Sequence, residues 1–263
     1  MRIALAQITA STDPQANLEL VGDLCRRAAA AGAELVVFPE ATMCSFTGSP
    51  AEVAEPLDGS WATTVRELAT RLGITVVAGM FTLAADGRVH NTLLVTGAVE
   101  ASYDKIHLFD ALGHRESDDV APGSEPVVVE IGGVGVGLAT CYDVRFPALF
   151  TTLAERGAEV VLVPAAWAPG PGKVHQWRTL TTARALDCTS IVVAVDQAGV
   201  DDVEVSGPPT GVGTSMVVAA DGAVLHELGS GPELVVVDVD PSTVGEVREQ
   251  LPVLRNAAVL SAG

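Results

Sequence analysis

Apolar residues follow two rhythms along this chain, and the two alternate. Residues 2–8 form a near-continuous apolar run, the pattern of a strand buried on both faces. Asp13-Pro14 then supplies an N-cap and a proline at the first helical position. Leu18, Val21, Leu24 or Cys25, and Ala28 recur at helical spacing, and Gly32 is placed to end the helix. Residues 34–38 return as a buried strand. A second helix is predicted over 60–72, with Val65, Leu68, Ala69 and Leu72 on one face and Gly73 as its stop. Strand-like runs at 74–82, 89–96 and 98–104 follow, the first two separated by the turn sequence Ala85-Asp86-Gly87-Arg88. Residues 105–125 are polar and irregular, end in Pro122-Gly123, and read as a long loop.

The second half repeats the alternation. Strands are predicted at 126–131 and 134–140, then a helix from about 147 to 156 closed by Gly157. Strand 159–163, a loop containing Pro164, a helix at 173–187 and strand 190–195 come next. Runs at 212–219, 223–228 and 234–239 make the end β-rich, with a short helix from Pro241 and an extended tail over 251–263. No Pro/Gly/Ser-rich linker divides the chain, so residues 1–263 are expected to form one domain. Strands and helices in this order imply a layered α/β fold, with one covered sheet or two sheets packed together.

Composition sharpens this picture in two places. An apolar fraction of 48% over 263 residues supports a large buried core and excludes disorder. Acidic residues outnumber basic ones 33 to 15, a net charge of −18, which reads as a soluble acidic surface. A nucleic-acid groove needs clustered cations, yet the chain holds only two lysines, Lys105 and Lys173. The start, MRIALAQITA, reads as a first strand and not as a signal peptide, and no uncharged run reaches the roughly 18–20 residues of a membrane span. Cys25, Cys44, Cys141 and Cys188 are widely spaced with no secretory context, so the expectation is a reduced, cytoplasmic protein.

Three apolar runs deliver a reactive side chain at or near their ends. Cys141 follows the small-residue run 132–139 and precedes a predicted helix. A thiol forms a thioester and splits acyl hydrolysis into two easier steps, and a helix start favours its thiolate. The strand-to-helix setting is that of an exposed nucleophile elbow. Glu40 follows Pro39 after a buried strand, where partial desolvation raises a carboxylate toward useful basicity. Lys105 ends a strand and supplies a fixed positive charge for a tetrahedral oxyanion. Each has a plainer alternative: a buried structural thiol, a solvated loop acid, a surface cation.

Taken together, Pro39-Glu40, Lys105-Ile-His-Leu-Phe-Asp and Cys141-Tyr-Asp-Val-Arg-Phe-Pro resemble the nitrilase superfamily of carbon–nitrogen hydrolases. The resemblance runs through 156–167, 183–187, 213–222 and 247–256, essentially the whole chain. It implies Cys141 as nucleophile, Glu40 as general base and Lys105 as oxyanion stabiliser. A second catalytic glutamate, near the nucleophile in the loop after the lysine motif, matches Glu116, so that Glu40 or Glu116 activates the hydrolytic water, and the Tyr142 backbone N–H completes the oxyanion hole. It also implies a four-layer αββα sandwich that pairs into homodimers or higher homo-oligomers, a small-molecule amide as substrate, and no cofactor. The KIHLFD and CYDVRFP motifs are most similar to the branch of omega-amidases and deaminated-glutathione amidases, which points to small carboxylated amides. Arg145, or Arg115 in the loop, is a candidate partner for a substrate carboxylate, with a structural salt bridge as the competing role for Arg145. The chain departs from many relatives in the short segment 111–115 and in APGPGKVHQW after Trp167. Nitrile and N-carbamoyl hydrolysis stay open, as does a non-catalytic member that uses Cys141 as a redox sensor.

Other signals point away from further chemistry. The glycines of 132–137 lie within the strand leading to Cys141, so they fit close packing and not a dinucleotide turn. The PGPGK of 169–173 lacks the spacing and the Ser or Thr of a phosphate loop. The five histidines make no His-x-x-x-His pair and no Cys-x-x-Cys exists, so no metal site is expected. Trp167 and Trp177 are candidates for lining a pocket, with core packing as the alternative.

Overall fold

The computed structural model describes residues 1–199 and 209–258. The first half runs β1 (Arg2–Gln7), α1 (Pro14–Ala30), β2 (Leu35–Val37), α2 (Pro50–Val53), α3 (Ser60–Leu72), β3 (Thr75–Leu83), β4 (Val89–Thr96) and β5 (Ala101–Asp104). A small hairpin of β6 (Asp110–Ala111) and β7 (His114–Arg115) leads to a 3₁₀ turn over Glu116–Asp118. The second half runs β8 (Val128–Ile131), β9 (Val134–Leu138), a 3₁₀ turn over Cys141–Arg145, α4 (Pro147–Glu155), β10 (Val160–Ala165), α5 (Lys173–Cys188) and β11 (Ile191–Asp196). It closes with β12 (Met216–Val218), β13 (Val224–Glu227), β14 (Glu233–Asp238), α6 (Ser242–Gln250) and α7 (Val253–Asn256).

Two six-stranded sheets result, in the orders β14-β1-β2-β3-β4-β5 and β13-β12-β11-β10-β9-β8. Each has a parallel centre, β1-β2-β3 in one and β9-β10-β11 in the other, with antiparallel strands on both sides. Period-two alternation assigns the faces. Ile3, Leu5, Leu35 and Val37 meet Val160, Leu162, Ile191 and Val193 between the sheets. Ala4, Ala6, Val36 and Phe38 point the other way, under Val21, Leu24 and Cys25 of α1 and Trp61, Val65 and Leu68 of α3. Val161, Val163 and Val192 are likewise covered by Leu149, Phe150 and Leu153 of α4 and by Trp177 and Ala185 of α5. The layers are therefore helix, sheet, sheet, helix: the expected αββα sandwich.

Local rules account for the element ends. The Asp13 carboxylate accepts from the Gln15 N–H at 2.9 Å, and α3 stops at Gly73 with φ +66°. A Cβ on Gly135 would sit 2.1 Å from the Gly157 carbonyl oxygen, so the small residues of β9 do serve close approach. Several boundaries differ from expectation. The strand predicted over 98–104 begins at Ala101, because Gly97 turns at φ +122°. The loop 105–125 carries the β6–β7 hairpin, and the run 212–219 narrows to β12, since Gly211, Gly213 and Thr214 take positive φ. Within the tail expected to be extended, Val253–Asn256 form a helical turn after Pro252, and 259–263 lie outside the described residues. Among the described residues, no helix is long and apolar enough to cross a membrane.

Candidate active site

The parallel strands of both sheets end on one side, and the three reactive side chains gather there. Beyond β2 the chain passes Pro39 and turns sharply at Ala41, whose φ is +57°. The turn brings Glu40 against β3, where only glycine fits: a Cβ on Gly79 would lie 2.5 Å from the Ala41 nitrogen and 2.8 Å from Glu40 Cα. Gly79→Ala is expected to displace the Glu40 backbone and lower kcat by about a hundredfold with the fold retained. Steady-state kinetics beside far-UV circular dichroism check this, and an unchanged kcat would disprove the steric argument.

Glu40 is 1% exposed and satisfied on both oxygens. Its Oε1 accepts from Lys105 Nζ at 2.9 Å and Asn91 Nδ2 at 2.7 Å; its Oε2 accepts from the Ala166 N–H at 2.8 Å. Gln197 Nε2 holds its backbone carbonyl at 2.9 Å. Lys105 leaves β5 with its N–H on the Asn91 carbonyl at 2.9 Å, and its ammonium also reaches Glu116 Oε1 at 3.0 Å and Oε2 at 2.9 Å. Glu116, in its 3₁₀ turn, accepts further from the Phe109 N–H at 2.6 Å and from Asn91 Nδ2 at 3.2 Å. Burial disfavours charge on Lys105, but Glu116 and Glu40 outweigh it and hold the ammonium well above its ordinary pKa. For Glu116 burial is again outweighed, by Lys105 and the Phe109 N–H, and the carboxyl sits below its usual range.

Cys141 follows β9 with φ +46°, the left-handed region that favours glycine, and opens its 3₁₀ turn. The surrounding motif residues lock this bend. Asp143 accepts from the Thr140 N–H at 2.8 Å, Tyr103 Oη at 2.6 Å and the His107 N–H at 3.0 Å, and lies 2.7 Å from His107 Nδ1. The His107 ring stacks on Phe146 at 3.7 Å between centroids. KIHLFD and CYDVRFP are thus two halves of one clamp joining the lysine segment to the thiol segment. The thiol itself departs from expectation: burial, then the Glu40 charge, push it well above its ordinary pKa, and Lys105 only partly opposes them. A five-residue turn does not offset these two effects.

Glu40, Lys105, Glu116, Cys141 and Tyr142 line one cavity of about 300 Å³, together with Arg145, Trp167, Phe109 and Lys173. Arg145 takes part in no salt bridge there, contrary to the competing role foreseen for it: among the described residues no carboxylate lies within 4.0 Å of its guanidinium. It donates to Gln176 Oε1 at 2.7 Å and stands 5.0 Å from the Trp167 ring centre. Trp167 faces the cavity, whereas Trp177 is core and donates to the Thr214 carbonyl at 3.0 Å. Arg115 is not brought in; its side chain is mostly exposed and pairs with Asp118 at 3.3 Å. Sequence reasoning missed Asn91 and Lys173. The Lys173 ammonium lies 5.6 Å from the Trp167 ring centre and 5.8 Å from that of Phe109. Burial, then the Arg145 charge, lower its pKa. Its rarity in so acidic a chain was the one available signal.

Known proteins resemble the chain over nearly its whole length. The family model of carbon–nitrogen hydrolases matches residues 2–249. A hydrolase of Mycobacterium tuberculosis is 54% identical over 266 residues, covering 97% of this chain and 95% of the relative. A deaminated glutathione amidase of Escherichia coli O157:H7 is 34% identical over 262 residues, covering 97% of each. Among solved structures, a variant of the amidase from Nesterenkonia sp. AN1 superposes with a TM-score of 0.79 at 33% identity, over 96% of this chain and 98% of that one. In that protein acrylamide has undergone Michael addition at the active-site cysteine.

Proposed function

The chain belongs to the carbon–nitrogen hydrolase family, and on that footing we propose that it is an amidase releasing ammonia from small carboxylated amides through a thioester on Cys141. The observation that carries this reading is the gathering of a thiol, a carboxylate and an ammonium, each at the end of a different strand, on one cavity.

In this reading Glu40 takes the Cys141 proton as sulfur bonds to the amide carbon. The carbonyl electron pair moves to oxygen, and Lys105 with the Tyr142 N–H stabilises that oxyanion. Collapse returns the pair, breaks the C–N bond, and the proton held by Glu40 leaves with ammonia. Water then gives its proton to Glu40 and its oxygen to the thioester carbon; Glu116 keeps Lys105 charged and in place. The sulfur departs, regains the proton and frees a carboxylic acid. A thiol whose pKa is raised by burial and by the Glu40 charge fits this order, because attack then depends on proton transfer to a base on the same cavity.

Two cations that no carboxylate of the described residues neutralises, Arg145 and Lys173, support a carboxylate on the substrate. They are not matched by Arg115, which stands outside. Ammonia release should be measured with carboxylated amides, uncharged short amides, N-carbamoyl amino acids and nitriles. Arg145→Gln and Lys173→Gln are each expected to raise KM for a carboxylated amide about ten- to a hundredfold and to leave an uncharged amide nearly unchanged. An equal rise for the uncharged amide would sink the carboxylate reading, and preferential turnover of a nitrile or carbamoyl compound would replace it.

The same reading treats residues 1–263 as one hydrolase domain working in the cytoplasm, supported by four free, buried cysteines. Exposed Leu186 on α5 and Val224 and Leu225 on β13 support pairing into homodimers, which analytical ultracentrifugation tests directly.

A further inference from the structure

Asn91 stands on β4, opposite Phe81 of β3, with no chemistry of its own. Yet its Nδ2 donates at 2.7 Å to Glu40 Oε1 and at 3.2 Å to Glu116 Oε1, the two carboxylates that also grip Lys105. Its Oδ1 is buried and meets no donor among the described residues. Turning the amide over would set that oxygen against two carboxylates, so the donors are what the site uses and the orphaned oxygen is the cost. A buried acceptor left without a partner costs about 1–3 kcal/mol, which natural cores avoid unless a role offsets it.

We propose that Asn91 is a positioning residue: with Lys105 it saturates Glu40 Oε1, and so directs the proton of Cys141 to Glu40 Oε2. The inference rests on Glu40 being the general base. Oε2 carries one hydrogen bond, from the Ala166 N–H, and keeps a lone pair for the proton, whereas Oε1 already takes two donors, one of them charged. The charged and titratable groups around Glu40 are Lys105 after β5, Glu116 in its 3₁₀ turn, Cys141 after β9 and Asp196 at the end of β11. Of these only Lys105 carries a positive charge. The Asn91 amide is the neutral donor that adds to it without adding a proton of its own to the exchange.

The test compares wild type with Asn91→Ala, Asn91→Asp and Glu40→Gln. Asn91→Ala is expected to lower kcat about ten- to a hundredfold while KM stays within about twofold, and to leave thermal stability equal or slightly raised, since the orphaned oxygen goes too. Losing a donor to a carboxylate raises its pKa, so the acid limb of kcat/KM should move to higher pH. Asn91→Asp keeps the shape, replaces the donors with a third acid, and should move the limb further. If the limb of both variants coincides with wild type, or if the loss falls on KM alone, Asn91 has no such role. Should Asn91→Ala fail to fold, the nearly isosteric aspartate variant carries the same decision. Glu40→Gln separates the two layers: activity surviving there removes the base itself, whereas a dead Glu40→Gln with an unmoved Asn91 limb removes only this inference.

Discussion

Cys141→Ala is expected to lose ammonia release by at least about ten-thousandfold while the fold and its melting temperature stay essentially unchanged. The size of the loss follows from what the sulfur does in the proposed reaction: without a nucleophile there is no thioester, and attack reverts to water. The stability expectation follows from how little else the sulfur does. The Cys141 Sγ donates a weak hydrogen bond to the Ala166 carbonyl at 3.8 Å, and alanine keeps the Cβ that already tolerates φ +46°. Among the four cysteines it alone lines the cavity, while Cys25, Cys44 and Cys188 are buried away from it. Iodoacetamide should therefore label wild type once, at Cys141, and leave the variant unlabelled. Intact-mass spectrometry during turnover should show an acyl adduct in wild type only. Turnover that survives the substitution would remove Cys141 as nucleophile.

Much of this arrangement is legible in the chain, and what is not has identifiable reasons. The doubly buried runs at 2–8, 34–38, 159–163 and 190–195 foretell parallel strands under helices, because period two with both faces apolar has few other solutions. That these strands sort into two sheets is not written in any one of them; it depends on which faces meet. Glu40, Lys105 and Cys141 are visible as strand-end residues, but their convergence came from resemblance and not from spacing. Asn91 is invisible for a plainer reason. It sits in the ordinary strand sequence VHNTLLV, and its role arises from two carboxylates 51 and 25 residues away. Lys173 opens α5 after a Pro/Gly loop whose failure as a phosphate loop hid its value as a cation that no carboxylate of the described residues pairs. The sign of the Cys141 shift was misjudged because the local turn is readable, while burial and the charge of Glu40 are properties of the fold.

Lys105→Met tests the site's electrostatics as a stability effect as well as a catalytic one. The ammonium is the one cation between two carboxylates that are 1% and 6% exposed. Removing it leaves like charges in a low-dielectric cleft, which should destabilise the fold by about 3–5 kcal/mol. Turnover should fall at least about a hundred- to a thousandfold through the lost oxyanion donor. The pH dependence should change sign. In wild type the depressed Glu116 pKa contributes stability above its unfolded value of about 4.3, lost as pH falls through the folded value. The raised Lys105 pKa contributes stability below its unfolded value of about 10.4, lost as pH rises through the folded one, so a plateau lies between. Without the lysine the paired carboxylates hold a proton more tightly than the unfolded chain does. Stability should then fall as pH rises above about 4.3, and the deficit should be smaller at about pH 5 than at about pH 8 by urea titration. A deficit independent of pH would show that packing, not charge, was lost. Adding Glu116→Gln to Lys105→Met removes one of the opposed charges and should recover much of the stability with no recovery of turnover. If turnover returned with stability, Lys105 would be a structural counter-ion and the oxyanion would have to find its charge elsewhere.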